Sequence, residues 1–348
     1  MTASVKPGNG VLERLAHSRE LVEPSMRAAV ERLDDHSRLV ASYHLGWCDE
    51  HGNPTRASGG KAIRSGLALM VADAVAGRPE PGIPGGVAVE LVHNFSLIHD
   101  DLMDRDATRR HRRTVWAIWG DPTAVLVGDA LASLADEVLS ETDSPYAHRA
   151  GHALAVATRE LIRGQVLDVA FEQRDDVTLA ECLDMAAGKT SSLLGLAAQL
   201  GAILGGADEK ACEAFRSYGW ELGLAFQLVD DLLGIWGTPE STGKPVFSDL
   251  LAHKKTMPVV WSLEHGGADG RELAEWLART DPPTDTDLQH AAGLVERAGG
   301  RDWAVTEANE RVRRAGEALD AAFDGGGLSP THREQFDELA QFVVERQL

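Results

Sequence analysis

Two apolar stretches of the chain each carry a pair of adjacent aspartates, Asp100–Asp101 and Asp230–Asp231. The stretches run over residues 87–103 and 222–236, and an unpaired carboxylate is costly to bury in such surroundings. Asp104 follows the first pair closely enough for a helix of 3.6 residues per turn to present it on the same face as Asp100. The pattern therefore predicts two long helices whose carboxylates face a polar cavity.

Carboxylates gathered on one helix face repel each other unless a cation binds them. Hard oxygen ligands with no cysteine nearby favour Mg²⁺, which keeps water ligands and shares its coordination shell with substrate phosphates. Gln227 lies four residues before Asp231 and adds an amide to the same face. Two other acidic pairs, Asp34–Asp35 and Asp175–Asp176, are interpreted as structural, since the second precedes a predicted capping box at Thr178–Glu181. For either apolar pair taken singly, solvated helix surface remains the alternative.

Composition narrows the class of protein. The 348 residues carry a formal net charge of −20, which argues against non-specific binding to nucleic acid or anionic membranes because both depend on positive surface. Cys48, Cys182 and Cys212 are too few and too far apart for a disulfide framework or a zinc motif, which favours a reducing cytoplasm. Residues 1–10 lack a signal pattern and are expected to be flexible. No apolar run reaches the roughly 20 residues of a membrane span.

Apolar residues recur at helical spacing along nearly the whole chain, for example at Leu193, Leu196, Leu200 and Leu204. No segment alternates convincingly between polar and apolar residues as a strand would. Glycine and proline breaks separate about a dozen helical segments. Residues 1–348 are accordingly predicted to form one all-α domain, a bundle with the two acidic helices central around a cavity.

Basic residues occur where a diphosphate site would need them. Residues 59–64 are predicted to open a helix, where backbone N–H groups suit an anion. Arg109–Arg110 follow the first aspartates, and His93 precedes Asp100 by seven residues, which returns it to nearly the same helical face. Taken singly, residues 59–64 could be a loop-to-helix junction with solvated charges, the arginine pair a salt-bridged helix end, and His93 an ordinary core histidine. Further lysines occur at Lys189, Lys244 and Lys254.

Taken in order, these residues resemble the trans-isoprenyl diphosphate synthases, the polyprenyl synthetase family. The resemblance covers most of the chain, and the order and spacing of the motifs are far more specific than any single motif. The matches are Gly-Gly-Lys-x-x-Arg at 59–64, Val-His-x-x-x-Leu-Ile-His-Asp-Asp-x-x-Asp at 92–104, Arg-Arg at 109–110, Gly-Gln-x-x-Asp at 164–168, Lys-Thr at 189–190, Phe-Gln-x-x-Asp-Asp at 226–231 and Gly-Lys-Pro at 243–245.

The resemblance implies an isoprenoid synthase fold, a homodimer and the condensation of isopentenyl diphosphate with an allylic diphosphate. The reaction would proceed through an allylic carbocation and release pyrophosphate. The family's metal cluster, three Mg²⁺ ions per active site, would be held by Asp100, Asp104 and Asp231, with Asp101 and Asp230 as further ligands or supports.

The remaining roles also follow from the resemblance. The allylic diphosphate would be bound by Arg109, Lys189, Lys244 and Lys254, and isopentenyl diphosphate by Lys61, Arg64, His93 and Arg110. Thr190 and Gln227 would line the reacting allyl centre and, with Lys189 and Arg109, form the catalytic set. Gln165 and Asp168 would position Lys189.

Three positions depart from the family pattern. Gly234 stands where many members have a third aspartate, His111 where glycine is usual, and Ser65 where proline is usual. None of these changes removes a principal ligand, so an active enzyme is expected.

Product length depends on the residues upstream of Asp100, because the growing chain is expected to run towards the preceding helical turns. Ser96 and Phe95, four and five residues upstream, would form its floor, and five residues correspond to about 7.5 Å along the helix. A small residue at the nearer position and an aromatic one at the farther resemble geranylgeranyl diphosphate synthases. The twenty-carbon product is therefore expected, with farnesyl or longer products as alternatives.

Two other functions remain open at this point. A class I terpene cyclase would share the helical fold and an acidic metal motif, but it would have no use for Lys61, Arg64, His93 and Arg110. A non-catalytic partner subunit of a prenyl synthase would be expected to have lost aspartates of the first motif or lysines of the diphosphate sites, and this chain has kept them.

Overall fold

The computed structural model describes residues 8–55, 62–239, 245–323 and 328–345. The structure is 78% helical, which confirms the all-α prediction. The α-helices are Gly8–Val30, Asp35–His44, Ile63–Ala76, Ile83–Met103, Val115–Trp119, Asp121–Ser140, Ala147–Phe171, Leu179–Ala186, Ser192–Gly205, Glu209–Trp236, Ser248–Leu251, Met257–His265, Gly267–Leu277, Asp285–Arg297, Gly300–Phe323 and Pro330–Val344. A 3₁₀-helix spans Glu80–Gly82 and a π-helix spans Ala187–Ser191.

The residues fall into two compact units. The first unit comprises Met1–Thr158, Leu196–Arg216 and Ala322–Gln335, and the second comprises Arg159–Gly195, Ser217–Ala321 and Phe336–Leu348. The prediction of one domain around one central cavity stays a prediction.

The first unit is organised around the helix Ile83–Met103, here named the first acidic helix. It packs against the helices Ile63–Ala76 and Asp121–Ser140. A small residue also allows the helix Ser192–Gly205 to approach closely: a side chain at Gly85 would place its Cβ atom 2.9 Å from the Cβ atom of Leu200. Packing therefore holds the first acidic helix over the turns that precede its aspartates.

The core of the second unit surrounds the helix Glu209–Trp236, here named the second acidic helix, over its residues from Ser217 onward. Leu228 and Leu232 on this helix are fully buried with Met257 and Val260. A second cluster packs Ile235 against residues of the later helices. Apolar burial of this kind supplies most of the free energy that orders a helix in a protein.

Polar residues outside the acidic helices cap two helix ends, of which the capping box after Asp175–Asp176 was predicted. The Asp34 carboxylate accepts hydrogen bonds from the amides of His36 and Ser37. Thr178 and Glu181 form the predicted reciprocal capping box at the start of Leu179–Ala186. Both observations confirm a structural role for these residues.

One element was not predicted. Thr108–Arg109 and Arg112–Arg113 form a two-stranded antiparallel hairpin directly after the first acidic helix. Its two central residues, Arg110 and His111, have φ angles of 50° and 61°. The sequence shows no alternating segment here because strands of two residues are too short to alternate.

Two further observations concern the class of protein. None of the described helices is long and apolar enough to cross a membrane. Cys48, Cys182 and Cys212 are buried free thiols. Burial raises the pKa of Cys182 to about 12, which keeps the thiol protonated and unreactive.

Candidate active site

The first acidic motif lies at the carboxyl end of the first acidic helix. The amide of Asp104 donates to the carbonyl of Asp100 at 2.8 Å, so these residues stand one helical turn apart on one face, as predicted. Asp104 is exposed, whereas Asp101 is only 1% exposed. The Oδ2 atom of Asp101 is buried without a hydrogen-bond partner among the described residues.

Arg109 reaches back from the hairpin to this motif. Its Nε donates to Oδ1 of Asp101 at 2.7 Å. Burial raises the pKa of Asp101 to about 6, although the charge and hydrogen bond of Arg109 act in the opposite direction. The ion pair therefore joins the first acidic helix to the arginine-bearing hairpin, a contact that the sequence did not predict.

Basic side chains gather beside the same helix. Nη1 of Arg64, in the first turn of Ile63–Ala76, lies 3.4 Å from Nε2 of His93. Burial and the positive charges of Arg64, Arg110 and Arg109 hold the pKa of the His93 imidazole well below its usual range. The imidazole is thus neutral among arginines, in a chain whose net charge is strongly negative. A cluster of this kind favours the binding of an anion.

His44 belongs to the same cluster, although no motif in the sequence pointed to it. Burial and the charges of Arg109 and Arg110 lower the pKa of its imidazole to about 3, partly offset by a hydrogen bond with Asn94. Lys61, which was assigned to this cluster, lies outside the described residues.

The two residues assigned to the product floor lie within the first acidic helix. Phe95 is 7% exposed and packs edge-to-face against His99, with 5.5 Å between ring centroids. Ser96 is half-buried, and its hydroxyl donates to the carbonyl of His93 at 2.8 Å. Phe95 is therefore the more buried of the two and has the larger side chain.

In the second unit, close contact between backbones brings Lys189 to Asp168. A Cβ atom at Gly164 would lie 2.2 Å from the amide nitrogen of Lys189, and one at Gly188 would lie 2.9 Å from the Cα atom of Gly164. Asp168 follows Gly164 by one helical turn, and the Lys189 Nζ donates to its Oδ2 at 2.6 Å. Gln165 was assigned to the same contact, but its Nε2 has no hydrogen-bond partner among the described residues.

Lys189 and Thr190 lie within the π-helix Ala187–Ser191. Such segments insert one extra residue into a helical turn and often occur at functional sites. A Cβ atom at Gly223 would lie 2.4 Å from the Cα atom of Ser191, so the second acidic helix passes against this segment.

A chain of hydrogen bonds runs from that contact into the core. The Thr190 hydroxyl donates to Oε1 of Gln227 at 2.6 Å, and the Gln227 amide donates to Oδ1 of Asp231 at 2.8 Å. The Met257 amide donates to Oδ2 of Asp231 at 3.0 Å. Burial nevertheless raises the pKa of Asp231 to about 7, with the charges of Asp249 and Asp230 adding to the increase.

Asp249 occupies the space where a side chain at Gly234 would lie. An ideal Cβ atom on Gly234 would be 1.9 Å from Oδ2 of Asp249 and 2.4 Å from its Cγ. Gly234 follows Asp230 by one turn, so its missing side chain would point along the face that carries the aspartates. The departure from the family pattern thus coincides with an aspartate from another part of the chain.

Two adjacent lysines follow this aspartate. Lys254 is exposed, whereas Lys255 donates from Nζ to the carbonyl of Phe171 at 2.9 Å. Lys244, the remaining predicted diphosphate ligand, lies outside the described residues.

The donor set suits a hard divalent cation. Within its own unit each motif offers carboxylate oxygens, and in the first unit the buried Oδ2 of Asp101 has no competing hydrogen bond among the described residues. Oxygen donors of this type favour Mg²⁺. Over the described ranges, no group of three or more His, Cys, Asp or Glu side chains is arranged to hold a metal by itself.

Comparison with known proteins identifies the family. The polyprenyl synthetase profile matches residues 46–295. The chain belongs to this family. A (2E,6E)-farnesyl diphosphate synthase of Mycobacterium tuberculosis is 52% identical over 336 residues, covering 96% of this chain and 92% of the relative. A geranylgeranyl diphosphate synthase of the same organism is 42% identical over 316 residues, covering 90% and 89%.

Solved structures of polyprenyl synthetases have the same fold. The crystal structure of a polyprenyl synthetase from Streptomyces coelicolor matches with a TM-score of 0.91 and 48% identity, covering 96% of this chain and 99% of that one. A geranylgeranyl pyrophosphate synthetase from Pyrococcus horikoshii matches with a TM-score of 0.86 and 31% identity, covering 98% of this chain and 100% of that one.

Three features of this polyprenyl synthetase had no sequence signal strong enough to predict them. They are the hairpin after the first acidic helix, the approach of His44 to the arginines, and the overlap of Asp249 with the Gly234 position. The glycines at 164, 188, 219 and 223 did carry a usable signal, because glycine inside an apolar helix often marks close backbone contact.

Proposed function

We propose that this chain is a trans-prenyltransferase that condenses isopentenyl diphosphate head-to-tail with an allylic diphosphate. The observation that carries the proposal is the cluster of Arg64, His93, Arg109 and Arg110 beside an aspartate-bearing helix in a member of the polyprenyl synthetase family. A terpene cyclase acts on a single diphosphate and gains nothing from a second basic cluster. This observation therefore favours condensation over cyclisation.

Isopentenyl diphosphate is assigned to Arg64, His93 and Arg110, together with Lys61. The neutral His93 ring can donate a hydrogen bond to a phosphate oxygen, and a bound anion would counter the arginine charges that lower its pKa. Arginine forms paired hydrogen bonds with phosphate oxygens. These side chains hold the diphosphate so that the attacking double bond has a fixed position.

The allylic diphosphate is assigned to Arg109, Lys189, Lys244 and Lys254, and the Mg²⁺ ions to Asp100, Asp101, Asp104, Asp230 and Asp231. When bound, the ions neutralise the departing pyrophosphate. Three ions per site are proposed on the family resemblance. Asp168 keeps Lys189 in place, so that its ammonium group can stabilise negative charge as the carbon–oxygen bond breaks.

Thr190 and Gln227 are assigned to the reacting allyl centre. The Gln227 oxygen accepts from Thr190 and its amide donates to Asp231, so the orientation of the amide is fixed. Fixed dipoles beside a developing cation need no reorganisation during the reaction. The proton that leaves the adduct is assigned to the released pyrophosphate, as the family resemblance implies.

A short-chain product is proposed. Phe95 fills the helical position expected to stop chain growth and is almost fully buried. The sequence favours the geranylgeranyl product, but the higher identity belongs to a farnesyl diphosphate synthase, 52% against 42%. Product length is therefore proposed as fifteen or twenty carbons, with fifteen favoured by the relatives.

A homodimer in the cytoplasm is proposed as well. Ile162, Val166 and Val169 recur at helical spacing on Ala147–Phe171 and are 51%, 63% and 41% exposed. An exposed apolar stripe on one helix face suits burial against a second copy. Val166→Glu is expected to lower the mass measured by light scattering to that of a monomer.

The activity can be tested directly. Purified protein with Mg²⁺ and isopentenyl diphosphate would be given dimethylallyl, geranyl or farnesyl diphosphate, and the products separated by chain length. Elongation of at least one primer is expected. Failure with all three primers would exclude the synthase, and a cyclic hydrocarbon from one allylic diphosphate alone would indicate a cyclase.

A further inference from the structure

Arg112 ties the hairpin that carries Arg109 and Arg110 to the end of a neighbouring helix. Its Nη1 donates to the carbonyl of Tyr43 and its Nη2 to the carbonyl of Cys48, both at 2.8 Å. Its guanidinium carbon lies 3.9 Å from the centroid of the Tyr43 ring. A planar guanidinium can stack on a ring and bond two carbonyls at once, whereas a lysine ammonium cannot reproduce this arrangement.

Tyr43 also bonds to the hairpin through its own side chain. Its hydroxyl donates to the carbonyl of Arg113 at 2.8 Å. Its ring packs edge-to-face against Trp119, with 5.0 Å between centroids, and the residue is 5% exposed. These contacts among Arg112, Tyr43 and the Cys48 carbonyl are named the Arg112 lock.

The lock acts on the strand opposite Arg109. Arg109 and Arg112 are direct partners across the hairpin, and Arg109 is in turn bonded to Asp101. The hairpin is thus held through one strand by the first acidic helix and through the other by the lock. Only its two central residues, Arg110 and His111, project beyond these anchors.

Those central residues are in the left-handed backbone region, with φ angles of 50° and 61°. This conformation is unfavourable for a residue with a side chain and persists only where the surroundings enforce it. A hairpin without the lock would therefore lose the fixed direction of the Arg110 side chain.

We propose that Arg112 is a positioning residue for diphosphate binding, which holds Arg110 and Arg109 in place and does not itself bind phosphate. Its two Nη groups donate to backbone carbonyls and its flat face covers Tyr43. Of the arginines in this hairpin, Arg109 and Arg110 are thus assigned to phosphate binding and Arg112 to the support of the hairpin. The identity of the bound diphosphate rests on the proposed function, whereas the lock rests on the contacts alone.

The test compares Arg112→Lys with Arg112→Met. Binding of isopentenyl diphosphate would be measured by calorimetry in buffer that contains EDTA and no metal. Because lysine keeps the charge but cannot form the lock, both variants are expected to bind at least about tenfold more weakly and within about twofold of each other. Wild-type affinity in the lysine variant alone would show that only the charge of Arg112 matters. Wild-type affinity in both variants would show that Arg112 has no part in diphosphate binding.

Matched controls come from the next residue. Arg113→Lys and Arg113→Met change an exposed arginine whose side chain donates to the carbonyl of Ala117, and neither is expected to alter the affinity. In the transfer reaction, the Arg112 variants should raise the KM for isopentenyl diphosphate, and kcat should fall to the extent that Arg109 is displaced as well. A lesion that merely lowered the folded fraction would reduce kcat and leave KM unchanged.

Limited trypsin digestion without ligand measures how readily the hairpin opens. Cleavage after Arg110 is expected to be faster in both Arg112 variants than in the wild type.

If wild-type protein binds no isopentenyl diphosphate, the proposed function fails, and digestion still decides whether the lock exists. If the Arg112 variants do not fold, Tyr43→Phe removes one hydrogen bond and should weaken binding about two- to fivefold; an unchanged affinity would overturn the proposal.

Discussion

Lys189 and Asp168 form an ion pair, with the Nζ atom 2.6 Å from the Oδ2 atom. Both side chains are partly buried, so the pair is less screened than one on open surface. The pair holds the ammonium group near the helix that carries Asp168. The position of Lys189 is consequently a property of two segments of the second unit.

Asp168→Asn tests this relationship. The amide keeps the size of the side chain but removes its charge, so Lys189 should become more mobile and the KM for the allylic diphosphate should rise by about 5- to 20-fold. Asp184→Asn is the control, because Asp184 pairs with the exposed Arg163 in the same unit. An equal rise in both variants would indicate a general effect of lost negative charge.

Gly234→Asp is expected to harm the protein although it restores the residue common in the family. The new Cβ atom would lie 1.9 Å from Oδ2 of Asp249, and crowding of this kind typically costs about 1–3 kcal/mol of unfolding free energy. Removing the obstruction in Gly234→Asp/Asp249→Gly should recover most of that stability. Urea denaturation of the two single variants and the double variant measures the coupling, and additive effects would contradict the overlap.

The basic cluster predicts a loss of stability in acid. The pKa of His44 is about 3 in the folded protein against 6.5 for the free side chain, so the unfolded chain binds a proton between these values and the folded protein does not. Stability is therefore fully present above pH 6.5 and falls as the pH decreases towards 3. His44→Gln should reduce the stability difference between pH 5 and pH 7.5 by of the order of 1–2 kcal/mol.

Urea denaturation at the two pH values measures this difference. The exposed His17 provides the matched variant, and His17→Gln should leave the wild-type difference in place. An unchanged difference in His44→Gln would show that the imidazole is protonated in the folded protein.

Phe95→Ala is expected to lengthen the prenyl product because it removes the aromatic ring proposed as the floor. Loss of a buried phenylalanine also costs about 3–5 kcal/mol, so the assay should be run well below the melting temperature. Chromatography of the dephosphorylated products gives the chain lengths. Ser96→Phe, one position nearer the aspartates, should shorten the product, and unchanged lengths in both variants would place the floor elsewhere.

His99 explains part of what the sequence missed. Its position beside the aspartates was known, but the space it fills depends on Gly128, where a Cβ atom would lie 2.1 Å from Nε2 of His99. Helical periodicity predicted the acidic helices and the face that carries Asp100 and Asp104 correctly. Periodicity holds no information on contacts between distant segments, such as Asp249 with Gly234 or Arg112 with Tyr43, because these depend on tertiary packing.

Some contacts can be predicted from a short stretch of sequence, and others depend on residues that only the fold brings together. Thr178–Glu181 could be predicted in full, because a capping box is complete within four residues. The ion pair between Arg109 and Asp101 could not, since it depends on a hairpin whose strands have two residues each. Short elements depend on contacts with neighbouring segments, and their few residues show no recognisable sequence pattern.

The backbone contacts of Gly164, Gly188 and Gly223 restrict how this enzyme family member can change. At each of these positions even a methyl group would meet main-chain atoms at 2.2–2.9 Å, and main chain cannot rotate aside as a side chain can. An inhibitor that rests against this part of the second unit would thus face residues with few viable replacements. Escape by mutation would be confined to the surrounding positions, and the glycines, which bind nothing themselves, would set that limit.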